Sequence, residues 1–189
     1  MKIGSLMKDA FILCAITLVL GLALSGAKVA TQPLIDKAAE ESKIKAFNEV
    51  CKGFNESEDI TDKLTDVTSD FSATLAEKEG VLKVYDESKN VLGYIVQCTS
   101  SGFGGKLNLI IGFDTDGKVT GVKFANTPSE TPGVGMKTTK PEFLNSWVGH
   151  DTNDVSSVDT ISGATISSTA FKEAVSMACL YASKAKEVQ

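Results

Sequence analysis

The sequence predicts an α+β chain in which a transmembrane helix precedes one domain built on an antiparallel sheet flanked by helices. Three observations carry this. Residues Ala10 to Ala27 contain no charged side chain, four β-rich runs between Val81 and Ala125 are joined by turn sequences, and Ser167 to Ala185 has helical apolar spacing. A chain of 189 residues, 42% of them hydrophobic, is enough for one ordinary globular domain and little more.

The apolar run comes first. As a helix rising ~1.5 Å per residue it reaches ~27 Å, enough to cross a hydrocarbon core. Lys2 and Lys8 precede it and Lys28 follows, so the positive-inside bias is weak. The simpler topology is a cytoplasmic tail at 1–9, an uncleaved anchor at 10–28 and the remainder outside the cytoplasmic membrane. Ser25-Gly26-Ala27 also satisfies a small-x-small cleavage pattern, leaving a removed signal peptide as the alternative. Leu13 before Cys14 argues against lipoprotein processing.

Thr31-Gln-Pro33 is expected to break this helix, because proline has no N–H for the ladder. Leu34 to Lys52 reads as a second helix, with Ile44, Phe47 and Val50/Cys51 on one side and Gly53 as its stop. Asn55 to Thr68 is acidic and loop-like. Residues 29–66 are therefore assigned to a linker and helix, and 67–189 to the folded domain.

Val81–Tyr85, Val91–Cys98, Lys106–Phe113 and Lys118–Ala125 read as strands, and Asp114-Thr-Asp-Gly117 is a strong hairpin turn. A glycine- and proline-rich loop follows, Ser129-Glu-Thr-Pro-Gly-Val-Gly135. Pro141–Val148 is a helix-sized patch whose Trp147 reads as core. In the closing helix Phe171, Ala174, Val175, Ala178, Tyr181 and Ala182 share one face, Ser167 or Ser168 serves as cap, and Lys184 and Lys186 sit near the negative end.

Composition removes several chemistries. Nineteen basic and twenty-four acidic residues are interspersed, with a net charge of −5, which argues against a nucleic-acid face. His150 is the single histidine and Cys-x-x-Cys does not occur, so zinc sites, bis-histidine haem and cysteine-ligated clusters lack their usual ligands. A serine hydrolase would rest on His150 alone, with no Gly-x-Ser-x-Gly elbow. Of the four cysteines, Cys14 lies in the apolar run. Cys51, Cys98 and Cys179 are an odd number and read as small apolar side chains rather than a disulfide framework.

The remaining candidate is Asp159-Thr-Ile-Ser-Gly-Ala-Thr165, where a short β-like stretch meets the closing helix. A helix N-terminus offers unpaired N–H groups and a positive dipole end, a ready phosphate site. Taken alone, Ser-Gly-Ala-Thr ahead of a helix is most economically a turn with a cap.

Asp-x-x-Ser-Gly-Ala-Thr resembles the target sequence of flavin transferases, which join FMN through its phosphate to the final threonine. Gly102-Phe-Gly-Gly105, Ile111 to Gly121 and Glu130-Thr-Pro-Gly-Val-Gly135 are similar in order and spacing to the FMN-binding domain of RnfG-type subunits. Those belong to the membrane complex that passes electrons between ferredoxin and NAD and moves ions. The resemblance covers essentially the whole chain, and length favours it over the longer NqrC-type relatives of quinone reductases. One departure is Thr127-Pro128-Ser129, where the family pattern often has a histidine before Glu-Thr-Pro-Gly.

The resemblance implies a flavoprotein of electron transport with FMN covalently attached at Thr165, a phosphoester modification. It implies that Asp159 guides the transferase, that Ser162, Gly163 and Ala164 form the exposing turn, and that Ser167 and Ser168 help hold the phosphate. Glu130, Thr131, Gly133 and Gly135 are candidates for the wall of the isoalloxazine ring. Partners would be the membrane and iron–sulfur subunits of an Rnf-type translocase, with the flavin transferase during maturation. The alternatives are an NqrC-like subunit of another respiratory complex and a non-redox extracytoplasmic assembly module.

Overall fold

A computed structural model describes residues 3–64, 71–77 and 79–187. The first element, α1, runs from Ile3 to Val50 with Pro33 inside it. The expected break at Thr31-Gln-Pro33 does not occur. Proline's fixed φ is itself helical, so the helix runs on through Pro33 at the loss of one N–H donor.

The chain divides into two compact units, one ending at Ser42 and one beginning at Lys43. Within the first, Phe11–Leu34 is a 24-residue helical stretch of mean hydropathy 2.1, long and apolar enough to cross a membrane, and none of its described side chains is buried. The second unit starts well before residue 67, the boundary expected from sequence. Phe47, Val50 and Cys51, at the end of α1, are buried with Leu82, Val84, Ile95 and Ile110 of the sheet. Those side chains make the helix end part of the core rather than of a linker. Gly53, at φ +90°, then turns the chain.

Among the described residues six strands form one antiparallel sheet. They are β1 (Glu56–Asp59), β2 (Thr74–Leu75), β3 (Val81–Tyr85), β4 (Val91–Ser101), β5 (Lys106–Asp114) and β6 (Val119–Phe124). The order is β1-β3-β4-β5-β6, with β2 paired to β4 beside β3. β1 corrects the loop expected at Asn55–Thr68, whose last residues, 65–68, lie outside the described set. Glu-Ser-Glu-Asp has no apolar alternation, yet its backbone pairs with β3 from Glu56↔Tyr85 to Asp59↔Leu82. As an edge strand it carries its charges outward; Lys63 and the Tyr85 hydroxyl both donate to Glu58 at 2.9 Å.

Alternation sends β-strand side chains to two cores. Tyr94, Val96 and Cys98 of β4 and Leu107, Leu109, Ile111 and Phe113 of β5 pack on the face covered by α3 (Thr165–Glu187). Ile95 and Ile110 point the other way, onto the end of α1. That end sits in a slot made by the cross-strand pair Gly112↔Gly121. A Cβ on Gly112 would meet the Val50 carbonyl oxygen at 2.4 Å, and the Thr120 hydroxyl donates to that same oxygen at 2.5 Å.

The β5–β6 hairpin turns as expected at Asp114–Gly117, whose Asp114 carboxylate accepts the N–H groups of Asp116 and Lys118 at 2.9 Å. The short helix α2 (Pro141–Asn145) starts on proline and gives way to turns through Val148. Trp147 is fully buried as expected, with ring centroids 5.5 Å from Phe171 and 5.7 Å from Phe143. Cys51, Cys98 and Cys179 are buried free thiols, consistent with the apolar reading. Burial pushes the Cys98 and Cys179 thiols up to about 12.

Candidate functional site

α3 begins at Thr165, two residues earlier than expected, so Ser167 and Ser168 lie inside its first turn rather than at its cap. The preceding turn is closed by the Ala164 N–H donating to Ile161 O at 3.0 Å, with Gly163 at φ +80°. This is the conformation for which glycine is suited at the third position of a turn. The first helical bond runs from the Ser168 N–H to Ala164 O at 2.9 Å. The amides of Thr165, Ile166 and Ser167 come before it, where a helix has no acceptors of its own. Thr165 is exposed there.

A cavity of about 340 Å³ opens at this point, within the size range of small-molecule sites. Gly163, Ala164, Thr165, Ile166 and Ser167 form one wall; Phe103, Glu130, Thr131, Val134 and Gly135 form the other. Three chain segments separated by dozens of residues therefore converge: the β4–β5 hairpin tip, the loop after β6, and the start of α3. The Phe103 N–H donates to Ser167 Oγ at 3.3 Å, tying the hairpin tip to the helix.

Glu130 is the centre of the second wall. Only 8% of it is exposed. Its Oε2 accepts the Gly104 N–H at 3.2 Å, while Oε1 is buried with no hydrogen-bond partner among the described residues. The glycines around it leave no room for side chains. A Cβ on Gly102 would stand 2.1 Å from Oε1, and one on Gly135 2.2 Å from Oε2. Gly104 is similarly closed by the Ser129 carbonyl oxygen at 2.2 Å. The glycine turns thus let the backbone fold closely around a carboxylate, one oxygen of which is buried and unpartnered among the described residues.

Of the residues singled out from sequence, Glu130, Thr131, Gly135, Gly163, Ala164, Thr165 and Ser167 line the cavity together. Gly133, at φ +74° in the open loop, does not line it, and Ser162 and Asp159 are exposed outside that lining. Ser168 is also outside it: its buried hydroxyl accepts the Ile161 N–H at 3.1 Å. Sequence reasoning missed Phe103 and Val134, and took Ile166 only for its backbone N–H, not for its apolar side chain. Phe103 is 70% exposed and Ile166 58% exposed, large apolar side chains left in solvent at the cavity. The available signal was a phenylalanine set between glycines at a hairpin tip, a place where an aromatic has no core to join.

Comparison with known proteins gives this arrangement its class. Residues 102–179 match the FMN-binding domain family, a span that begins at the hairpin tip and ends within α3. The domain's fold is also that of the C component of the sodium-translocating NADH-quinone reductase of Parabacteroides distasonis. The two share 21% sequence identity with a TM-score of 0.53, covering 79% of this chain and 84% of that one.

The particular family follows from closer relatives. The chain is 33% identical over 160 residues to the G component of the ion-translocating oxidoreductase complex of Methanosarcina acetivorans, covering 81% of each. It is 28% identical over 98 residues to the G component of the proton-translocating ferredoxin:NAD(+) oxidoreductase complex of Clostridium ljungdahlii, covering 47% of this chain and 52% of the relative. The chain belongs to the RnfG-type family, the G components of ion-translocating oxidoreductase complexes.

Proposed function

We propose that this chain is a membrane-anchored electron-transfer subunit that carries FMN on Thr165 through a phosphoester. The observation that carries the reading is the placement of an exposed threonine at a helix N-terminus, on the wall of a cavity whose other wall combines Phe103 and Val134 with Glu130 and Thr131. Bound FMN would supply reversible one- and two-electron chemistry. The protein's share is binding, orientation and the polarity around the ring.

The residues fit that group. The amides of Thr165, Ile166 and Ser167 and the α3 dipole suit a phosphate. Phe103, Val134 and Ile166 offer apolar surface to a flat ring. Glu130 lines the cavity and, with Oε1 unpartnered among the described residues, is the candidate acceptor for a ring N–H. In the attachment step the Thr165 oxygen bonds to the phosphorus of an FMN phosphoanhydride donor. The anhydride P–O bond breaks with its electron pair, and the hydroxyl proton passes to solvent. Asp159 and the Ser162-Gly163-Ala164 turn present the hydroxyl to the transferase.

Phe11–Leu34 anchors the chain as a single span, holding the flavin near the membrane and iron–sulfur subunits of an Rnf-type complex, with the domain on the extracytoplasmic side. Alone, the chain has little turnover. The test is full-length chain coproduced with a flavin transferase and resolved under denaturing conditions. Flavin fluorescence is expected to travel with the wild-type chain and to vanish in Thr165→Val. A chain that stays dark beside active transferase overturns the proposal and favours a non-redox assembly module.

A further inference from the structure

Ser168 is fully buried in the first turn of α3, and its hydroxyl serves the segment in front of the helix. The Ile161 N–H donates to Oγ at 3.1 Å, and Oγ lies 2.9 Å from Ala164 O and 3.3 Å from Thr165 O. One turn later the Lys172 ammonium donates to Val158 O at 2.8 Å. Residues four apart share a helix face. The two side chains therefore hold both ends of the 158–161 stretch along α3, and with it the Ile161–Ala164 turn that ends at Thr165. Neither of them lines the cavity.

We propose that Ser168 and Lys172 form a splint that fixes the acceptor turn and so sets the rate at which Thr165 is joined to FMN. The inference rests on the reading of Thr165 as the attachment site. Both are positioning residues, acting through where the Thr165 hydroxyl stands. Phosphoryl transfer needs the attacking oxygen in line with the leaving group, and a turn free to wander spends less time in that geometry. A serine that merely capped α3 would bond an N–H of its own helix; this one reaches back seven residues, to a donor outside it.

The experiment follows covalent flavin against time on the full-length chain in detergent, with purified flavin transferase and a flavin dinucleotide as donor. Thermal unfolding of each variant is measured in parallel. Ser168→Ala is expected to slow attachment about fivefold, the equivalent of one net hydrogen bond. Lys172→Met slows it likewise, whereas Lys172→Arg, which keeps a donor, restores the rate. The folded fraction stays near wild type in each. Wild-type or faster rates in Ser168→Ala and Lys172→Met overturn the splint, as does a slowing that only tracks loss of folded protein and is not restored by arginine. If the wild-type chain itself takes no flavin, the attachment reading falls and the splint with it.

Discussion

Glu130→Gln sets two demands of the site against each other. The carboxylate offers Oε2 to the Gly104 N–H, and its Oε1 is buried and unpartnered among the described residues, in a side chain that lines the cavity. A glutamine has one carbonyl oxygen and one NH2, so whichever way it is turned, one of the two donors meets another donor. A hydrogen bond to a charged acceptor is worth about 1.5–3 kcal/mol. If the amide turns its oxygen to Gly104, that loss falls on the ligand and weakens FMN binding roughly 10- to 150-fold. If it turns its NH2 to Gly104, the hairpin tip loses one of its two ties, keeping only the Phe103–Ser167 bond, and the melting temperature falls by about 3–10 °C.

The assay uses full-length chain carrying Thr165→Val, so that flavin is held only by non-covalent contacts. FMN is titrated by fluorescence quenching, and unfolding is followed by circular dichroism. One of the two losses must appear on adding Glu130→Gln. Affinity within about twofold and an unchanged melting temperature would refute the reasoning that Oε1 is kept for a ligand donor.

Phe103→Ala should leave stability within about 0.5 kcal/mol, because the ring is exposed, yet weaken FMN binding by roughly 2- to 12-fold through lost ring contact; the same titration checks it. Gly112→Ala drives a methyl into the Val50 carbonyl and is expected to cost about 1–3 kcal/mol in denaturant unfolding, dislodging the α1 end from its slot. The Cys98 and Cys179 thiols, raised by burial from 9.0 to about 12, bind their protons more tightly folded than unfolded. Their contribution is complete below the unfolded value and is lost as pH climbs towards the folded one, by roughly 1.4 kcal/mol per thiol at about pH 10. Unfolding free energies measured across that window should fall, and both thiols should resist alkylation at neutral pH until the chain is unfolded.

The central strands were legible because alternation and an Asp-Thr-Asp-Gly turn mark them directly. β1 was not, since Glu-Ser-Glu-Asp carries no apolar pattern and depends on β3 for its existence. Pro33 misled because a helix survives the loss of one N–H when both flanking turns remain. At the site, Thr165 and its turn could be read locally, whereas the grouping of Gly102, Gly104 and Gly135 around Glu130 is a matter of tertiary approach. Ser168 shows the same limit: its type and position suggested a phosphate contact, and only the fold shows that Ile161 already claims its hydroxyl.

Covalent FMN at Thr165 is decided by mass spectrometry of the peptide containing that residue, from full-length chain coproduced with a flavin transferase. That peptide is expected to carry the mass of FMN less one water, with fragment ions placing it on Thr165 and no adduct in Thr165→Val. An unmodified peptide in the presence of active transferase, or an adduct mapped to Thr160 or Thr169, would contradict it.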